Sequence, residues 1–345
     1  MSPDLSQLGW DDSFASAYRP IGRSDSAPAR VLRADRGVCT VLGADGVGRA
    51  SLGGSVLITA AGDPAQLPCA GDWVVTRRWP DRRVTIECVL PRRTALIRRT
   101  SDKDASGQVL AANMDIVAVV EPMHPDPDDA RVERLLALAW ESGAQPVVVL
   151  SKADTARRPE AVARQLQELA PGVRVLPVSV QRGDGLAELR ELAGPGHTLA
   201  LLGRSGAGKS TLVNALAGTT VMPVQEIRRA DGKGKHTTAY RNMVLVPGGG
   251  AVIDTPGIRG VGLLDTAEGL DKAFADVTRL ARQCRFRDCR HESEPACAVV
   301  AALDDGTLPV RRLESFRKLH REVEVESARQ AARLAELGAR HKARH

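Results

Sequence analysis

Residues Gly203-Arg204-Ser205-Gly206-Ala207-Gly208-Lys209-Ser210 constrain this chain more than any other stretch. They satisfy the pattern G-x-x-x-x-G-K-[ST] in full, with the apolar run "TLALL" before them and the helix-like "GKSTLVNALAG" after. The pattern has a physical cause. Backbone N–H groups must turn inward around phosphate oxygens, so side chains there must be small or absent. The following helix N-terminus adds a field that favours an anion. Lys209 would reach the β- and γ-phosphates, the Ser210 hydroxyl would ligate Mg²⁺, and Thr211 belongs to the same nucleotide-binding run. A strand–loop–helix of this kind places the segment in an α/β sheet.

The flanking sequence supplies that sheet. From about residue 113, apolar strands alternate with amphipathic helices. "MDIVAVVEP", "QPVVVL", "VRVLPVS", "HTLALLG", "RNMVLVP" and "GAVIDTP" read as strands, and "DDARVERLLALAWESG", "RPEAVARQLQELAPG" and "GLAELRELAG" as helices. Such alternation predicts a mostly parallel sheet covered on both faces. Upstream, short alternating strands between Gly and Asp turns predict a small β-barrel, of OB or SH3-like topology. Residues 1–33 lack periodicity and read as a mobile tail. Downstream of about residue 262 the strands give way to a cysteine cluster and a long polar helix. The expected organisation is a tail (1–33), an OB-type barrel (34–105), an α/β P-loop domain (106–262) and a helical metal-binding region (263–345).

Four further segments bear on the chemistry. "VIDTPG" ends a strand at Asp254, where a carboxylate would join the Mg²⁺ shell, and puts the Gly257 N–H near a γ-phosphate. The basic loop 226–240 contains His236, Thr237 and Thr238; either threonine would supply a second hydroxyl to Mg²⁺, and His236 would approach the attacking water. The tetrapeptide Ser151-Lys152-Ala153-Asp154 follows a buried strand. In a guanine site Asp154 would accept hydrogen bonds from N1–H and the N2 amino group, which adenine does not offer. Lys152 would lie along the base plane, and Ser151 would tie this loop to the phosphate loop. "PVSV" ends the next strand, where backbone N–H groups near Ser179 and Val180 would reach guanine O6.

These motifs run base motif, second base loop, phosphate loop, threonine loop, D-x-x-G. A GTP-binding domain usually starts at the phosphate loop. The present order is a cyclic rotation, which preserves every spatial neighbour if the old termini are joined and a new break opens at the surface.

Cys284-x₄-Cys289-x-His291-x₅-Cys297 offers three thiolates and an imidazole within fourteen residues, a closed set for one structural Zn²⁺. Arg282, Arg285, Arg287 and Arg290 surround it and would offset its negative charge or meet RNA phosphate. The net charge of +6 is modest, and aromatic content of 3% argues against a surface that reads RNA by stacking. No apolar run approaches the length of a membrane span, and the first residues lack a signal-peptide core, so a cytoplasmic protein is expected.

Taken together, "RGVCTV" and "GDWV" in the barrel, "NMD", "SKAD", "GRSGAGKSTLVN", "KHTT", "DTPGIR" and the cysteine cluster resemble the ribosome small-subunit-dependent GTPase A (RsgA) family of circularly permuted GTPases, over about residues 34–320. The resemblance implies an OB-fold, a permuted GTPase and a zinc domain. It further implies GTP hydrolysis stimulated by the small ribosomal subunit and its rRNA, late in subunit maturation, by a monomer binding GTP and GDP. The usual Gln after D-x-x-G is replaced by Ile258, which cannot orient water, and His236 matches the histidine the family is thought to use. Ser151 stands where Asn is commoner, and Val180 where Ala is. Two other readings of the motifs are a P-loop ATPase or small-molecule kinase, and an RNA-binding scaffold in which GTP is structural.

Overall fold

The computed structural model describes residues 4–98, 107–222, 242–255 and 267–342. His236, Thr237, Thr238, Gly257 and Ile258 lie outside those residues.

The first strands are β1 (Ser26–Asp35), β2 (Val38–Gly43), β3 (Gly46–Leu52), β4 (Trp73–Arg78) and β5 (Val84–Val89). They close into a barrel in the order β1-β2-β3-β5-β4 and back to β1. The β3–β5 contact is parallel and the others antiparallel. That order is the OB arrangement and decides between the two topologies left open by the sequence. Alternate residues Val31, Val41, Ala50, Val74 and Ile86 fill the interior.

Two features of this region differ from expectation. First, α2 (Gly54–Gly62) is a helix between β3 and β4, where only strands and turns were expected. It closes one end of the barrel with Val56, which joins the barrel core. Second, residues 1–33 are not a mobile tail where they are described. A short helical turn at Leu5–Leu8 leads into α1 (Asp12–Tyr18), and β1 begins at Ser26. Trp10, Phe14 and Tyr18 recur every four residues, so they share one face of the chain and pack with Leu8, Trp73 and Leu90. The polar composition masked this aromatic stripe. Asp11 caps α1 by accepting from the Ser13 and Phe14 N–H groups.

The hairpin β6 (Ala95–Arg98) and β7 (Gln108–Ala112) follows, and then the second sheet system. Its strands are β8 (Ile116–Pro122), β9 (Gln145–Ser151), β10 (Arg174–Pro177), β11 (Thr198–Leu202), β12 (Asn242–Leu245) and β13 (Ala251–Asp254). The order is β10-β9-β8-β11-β13-β12, parallel except for β12. Side chains alternate strictly between two cores. Val117, Val119, Val148, Leu150 and Ala200 face one layer, and Ala118, Val120, Val147, Val149 and Leu199 face the other. Helix α3 (Asp129–Glu141), with α4 (Pro159–Leu169), covers the first layer; α5 (Leu186–Leu192) and α6 (Lys209–Ala217) cover the second.

The two sheets are continuous, because β1 pairs with β12 at Arg33 and Asn242. Arg30 reinforces this junction. It is 1% exposed, yet donates to the Leu8 carbonyl (2.6 Å), the Asn113 carbonyl (2.9 Å) and the Thr198 hydroxyl (3.2 Å). Burial pushes its pKa down to about 10.

Helices α7 (Ala267–Ala273), α8 (Ala275–Ala281), α9 (Ala298–Asp304) and α10 (Val310–Lys342) complete the chain. Helix α7 lies so close to α3 that a Cβ at Gly269 would sit 2.5 Å from the Ala137 carbonyl oxygen. Arg312 locks the two layers: 3% exposed, it donates to Glu133 of α3 (2.8 Å) and to both oxygens of Asp276 of α8 (2.8 and 3.0 Å). No helix among the described residues is long and apolar enough to cross a membrane.

Candidate nucleotide site and metal centre

The C-terminal ends of β9, β10, β11 and β13 form one edge of the parallel sheet, the edge where ligands bind in such folds. Every described motif residue falls there. After β11 the loop turns through Gly206 (φ +81°) and Gly208 (φ +90°), left-handed conformations that favour glycine. Gly203 is required for a different reason: a Cβ there would lie 2.4 Å from the Val120 carbonyl oxygen. Lys209 opens α6 and is 7% exposed, and its ammonium bends back to the carbonyls of Gly203 (2.9 Å) and Arg204 (3.0 Å). Burial pulls its pKa down, and Asp254 opposes that shift. Ser205 and Gly206 are exposed at the mouth, Ala207 is buried beneath it, and Thr211 lies in the first turn of α6.

Asp254 ends β13 beside this loop. Its Oδ2 accepts from the Ser210 hydroxyl at 3.4 Å, while its Oδ1 is buried with no partner. Burial raises its pKa, with Lys209 and the Ser210 hydroxyl acting in the opposite sense. A buried carboxylate oxygen without a donor, next to a hydroxyl, is the set that a hard cation completes. Thr255, which sequence reasoning did not single out, is fully buried and donates its hydroxyl to the Leu201 carbonyl at 2.6 Å. It thereby fixes the end of β13 against β11.

The base-motif loop reaches the phosphate loop directly. The Ser151 hydroxyl donates to the Ala207 carbonyl at 2.6 Å, and Lys152, in a left-handed conformation (φ +56°), donates to the Gly206 carbonyl at 3.1 Å. The Ala153 N–H donates to Val178 of the next loop. Asp154 Oδ1 accepts from the Ser179 hydroxyl at 2.7 Å. This corrects one expectation. The Ser179 N–H is engaged by the Asp184 carbonyl at 3.0 Å, so Ser179 serves Asp154 through its hydroxyl and does not offer its N–H to the base.

The sequence also gave no sign of Glu121 at the end of β8. It is fully buried and paired with Arg131 of α3. Neither residue belongs to a recognisable motif, so only the fold reveals them.

Thirty residues past the sheet, Cys284, Cys289, His291 and Cys297 bring their donor atoms within 4.8 Å of one another. Cys284 and Cys297 sulfurs are 3.7 Å apart, and His291 Nδ1 is 3.6 and 3.5 Å from them. Zinc–sulfur bonds of about 2.3 Å require tetrahedral sulfur–sulfur edges of about 3.8 Å, so the donor spacing fits such a centre. His291 and Ala296 both have positive φ, the tight turns that fold the four donors inward. Cys297 also caps α9, its sulfur accepting from the Val300 N–H at 3.4 Å.

A six-stranded sheet of this order, with a phosphate loop, an acidic strand end and a base motif on one edge but the base motif first in the chain, defines a circularly permuted P-loop GTPase. The comparisons agree. The family model described as RsgA GTPase matches residues 89–264. The Streptomyces coelicolor protein named "Small ribosomal subunit biogenesis GTPase RsgA" is 52% identical over 344 residues, covering 99% of this chain and 92% of that protein. A relative of the same name from Opitutus terrae is 46% identical over 332 residues, covering 92% and 89%. The crystal structure of YjeQ from Thermotoga maritima superposes with a TM-score of 0.64 at 25% identity, over 86% of this chain and 98% of that one. YloQ, described as a circularly permuted GTPase, shares the fold with a TM-score of 0.62 at 22% identity, over 88% and 96%. The chain belongs to the RsgA GTPase family and is a GTP hydrolase.

Proposed function

We propose that this protein is a cytoplasmic monomer that hydrolyses GTP to GDP and phosphate on the small ribosomal subunit, late in the subunit's maturation, with the subunit accelerating the reaction. The names of its relatives support the partner. The observation that carries the guanine assignment is the Ser151–Ala207 hydrogen bond, which joins base motif and phosphate loop although they are 56 residues apart and in reversed order.

Asp154 reads guanine with the oxygen that Ser179 leaves free, and Lys152 flanks the base. Backbone N–H groups of Gly203 to Ser210 cradle the phosphates. On nucleotide binding the Lys209 ammonium exchanges two carbonyl oxygens for phosphate oxygens, which removes the mismatch of a buried cation held only by neutral groups. Ser210, Asp254 and one of Thr237 or Thr238 would hold Mg²⁺, which when bound neutralises charge on the phosphates. Gly257 donates its N–H to the γ-phosphate. Because Ile258 cannot orient water, His236 positions the attacking water once its loop closes over the nucleotide. The four donors Cys284, Cys289, His291 and Cys297 would hold one structural Zn²⁺, leaving no open position for chemistry. The barrel, read as residues 34–105, and the arginines around the cysteine cluster are the proposed rRNA contacts.

Competition binding tests the base assignment. GTP should displace bound fluorescent GDP at least a hundredfold better than ATP, and Asp154→Asn should transfer preference toward xanthosine triphosphate. Equal affinity for GTP and ATP would sink the guanine reading. His236→Ala should lower subunit-stimulated turnover by about 10² while GTP binding persists.

A further inference from the structure

A cavity of about 440 Å³ lies beside the phosphate loop, between α3 and α10. No step of the reaction above uses it. Its floor is apolar, formed by Leu135, Leu138 and Leu319, and its walls carry Arg131, Arg134, Arg204 and Lys318 against one lining carboxylate, Asp128. Arg131 is paired with Glu121 and Asp128, and Arg134 with Glu322. Those pairs build the walls and cancel their own charge. Arg204 and Lys318 have no carboxylate partner among the described residues, and the Arg204 Nε is buried without an acceptor. Two cations lining one cavity without a carboxylate partner, beside neighbours whose charge is already paired, mark a place for an anionic ligand.

We propose that this cavity is a second phosphate-binding pocket, which takes a phosphodiester of the small subunit's RNA between Arg204 and Lys318. The proposal rests on the ribosomal reading for the source of the phosphate. The volume suits a single nucleotide, and the leucine floor accepts the flat, weakly polar body of a sugar and base. Arginine and lysine together around an apolar floor favour a phosphate ester over a bare inorganic anion.

Position gives the pocket a consequence. The Arg204 carbonyl is one of the two oxygens that hold the Lys209 ammonium in the free protein. A ligand that anchors the Arg204 side chain therefore acts on the backbone next to Lys209. Lys318 sits on α10, which Arg312 and Ser315 fix to Glu133 of α3. Occupancy thus ties the C-terminal helix to the phosphate loop through Lys318 and Arg204.

Among the described residues Lys318 makes no hydrogen bond or ion pair to a nucleotide-binding residue, so it is the residue to vary. Lys318→Glu reverses the charge and Lys318→Arg preserves it. Two readouts are needed: GTP hydrolysis with and without purified small subunits, and binding of adenosine monophosphate to protein saturated with GDP. Lys318→Glu should retain basal hydrolysis and lose about tenfold in subunit stimulation, while Lys318→Arg matches the wild type. Stimulation of Lys318→Glu equal to wild type would overturn the RNA occupant. If wild type is itself not stimulated, the ribosomal reading fails and the nucleotide arm decides the pocket alone. Binding of adenosine monophosphate weakened tenfold by Lys318→Glu would then support a pocket for a free phosphate ester, and binding insensitive to Lys318 would overturn the pocket altogether.

Discussion

The hydroxyl of Ser151 donates to the carbonyl of Ala207 at 2.6 Å, so the loop that reads the base holds the loop that binds the phosphates. Both groups are buried, and no water competes for the bond. Ser151→Ala leaves the Ala207 carbonyl without this donor, at a cost of about 1 kcal/mol or more. GTP and GDP affinity should fall about fivefold together, with little change in turnover at saturation. Calorimetric titration checks this, and affinities within twofold of wild type would show that the tie is incidental.

Asp254 carries a raised pKa because it is buried. A carboxyl whose folded pKa lies above its unfolded value contributes stability below the unfolded pKa and loses it as pH rises through the folded pKa. Ionisation of Asp254 therefore costs the nucleotide-free protein stability, and that cost is fully felt only above its raised folded pKa. Asp254→Asn should stabilise the nucleotide-free protein at neutral pH by about 1 kcal/mol, and the advantage should vanish in acid. The same variant should lose Mg²⁺-dependent GTP binding. Denaturant melts of both proteins across the acid range give the comparison directly.

Metal removal addresses the cysteine cluster. The chelated protein should lose one equivalent of zinc and unfold α8 and α9 first, because Cys284 follows α8 and Cys297 caps α9. Cobalt should restore the helical signal with the visible bands of a tetrahedral sulfur-rich site. Recovery without any metal would show that the thiols act as ordinary core residues.

Arg312 links α3 to two of the C-terminal helices at once. Arg312→Met removes the closest cation from the buried Glu133, which keeps Arg311 and Ser315, and takes the donors from both oxygens of Asp276, and should cost about 3 kcal/mol. Adding Glu133→Gln should recover part of that loss, since the double variant no longer buries a carboxylate that has lost its closest cation. Additive losses in chemical denaturation would mean the two residues act independently.

Much of this molecule was legible in its sequence, for physical reasons that differ by region. The strands β8, β9, β11 and β13 are buried on both faces and read as unbroken apolar runs, and the base motif, the phosphate loop and "DTPG" follow three of them. The order of the motifs then disclosed the rotation. The cysteine cluster was legible because one loop carries all four donors. What escaped was tertiary in origin. Trp10, Phe14 and Tyr18 have helical spacing, but their partners Trp73 and Leu90 lie far along the chain, so polar composition suggested a tail. The segment "GSVLITAAG" has the β-branched residues of a strand, and it becomes α2 because it spans the step between β3 and β4. The Ser179 N–H was expected to face a base, and the Asp184 carbonyl that claims it is five residues on and outside any motif. Arg30, Glu121 and Glu133 are single charged residues whose burial no pattern announces.

The central claim is tested most directly by GTP hydrolysis measured on the purified protein with and without purified small ribosomal subunits. Slow intrinsic turnover that rises at least tenfold with stoichiometric subunits, and does not rise with large subunits, is the predicted result. Turnover indifferent to the small subunit, at concentrations where binding is saturated, would contradict it.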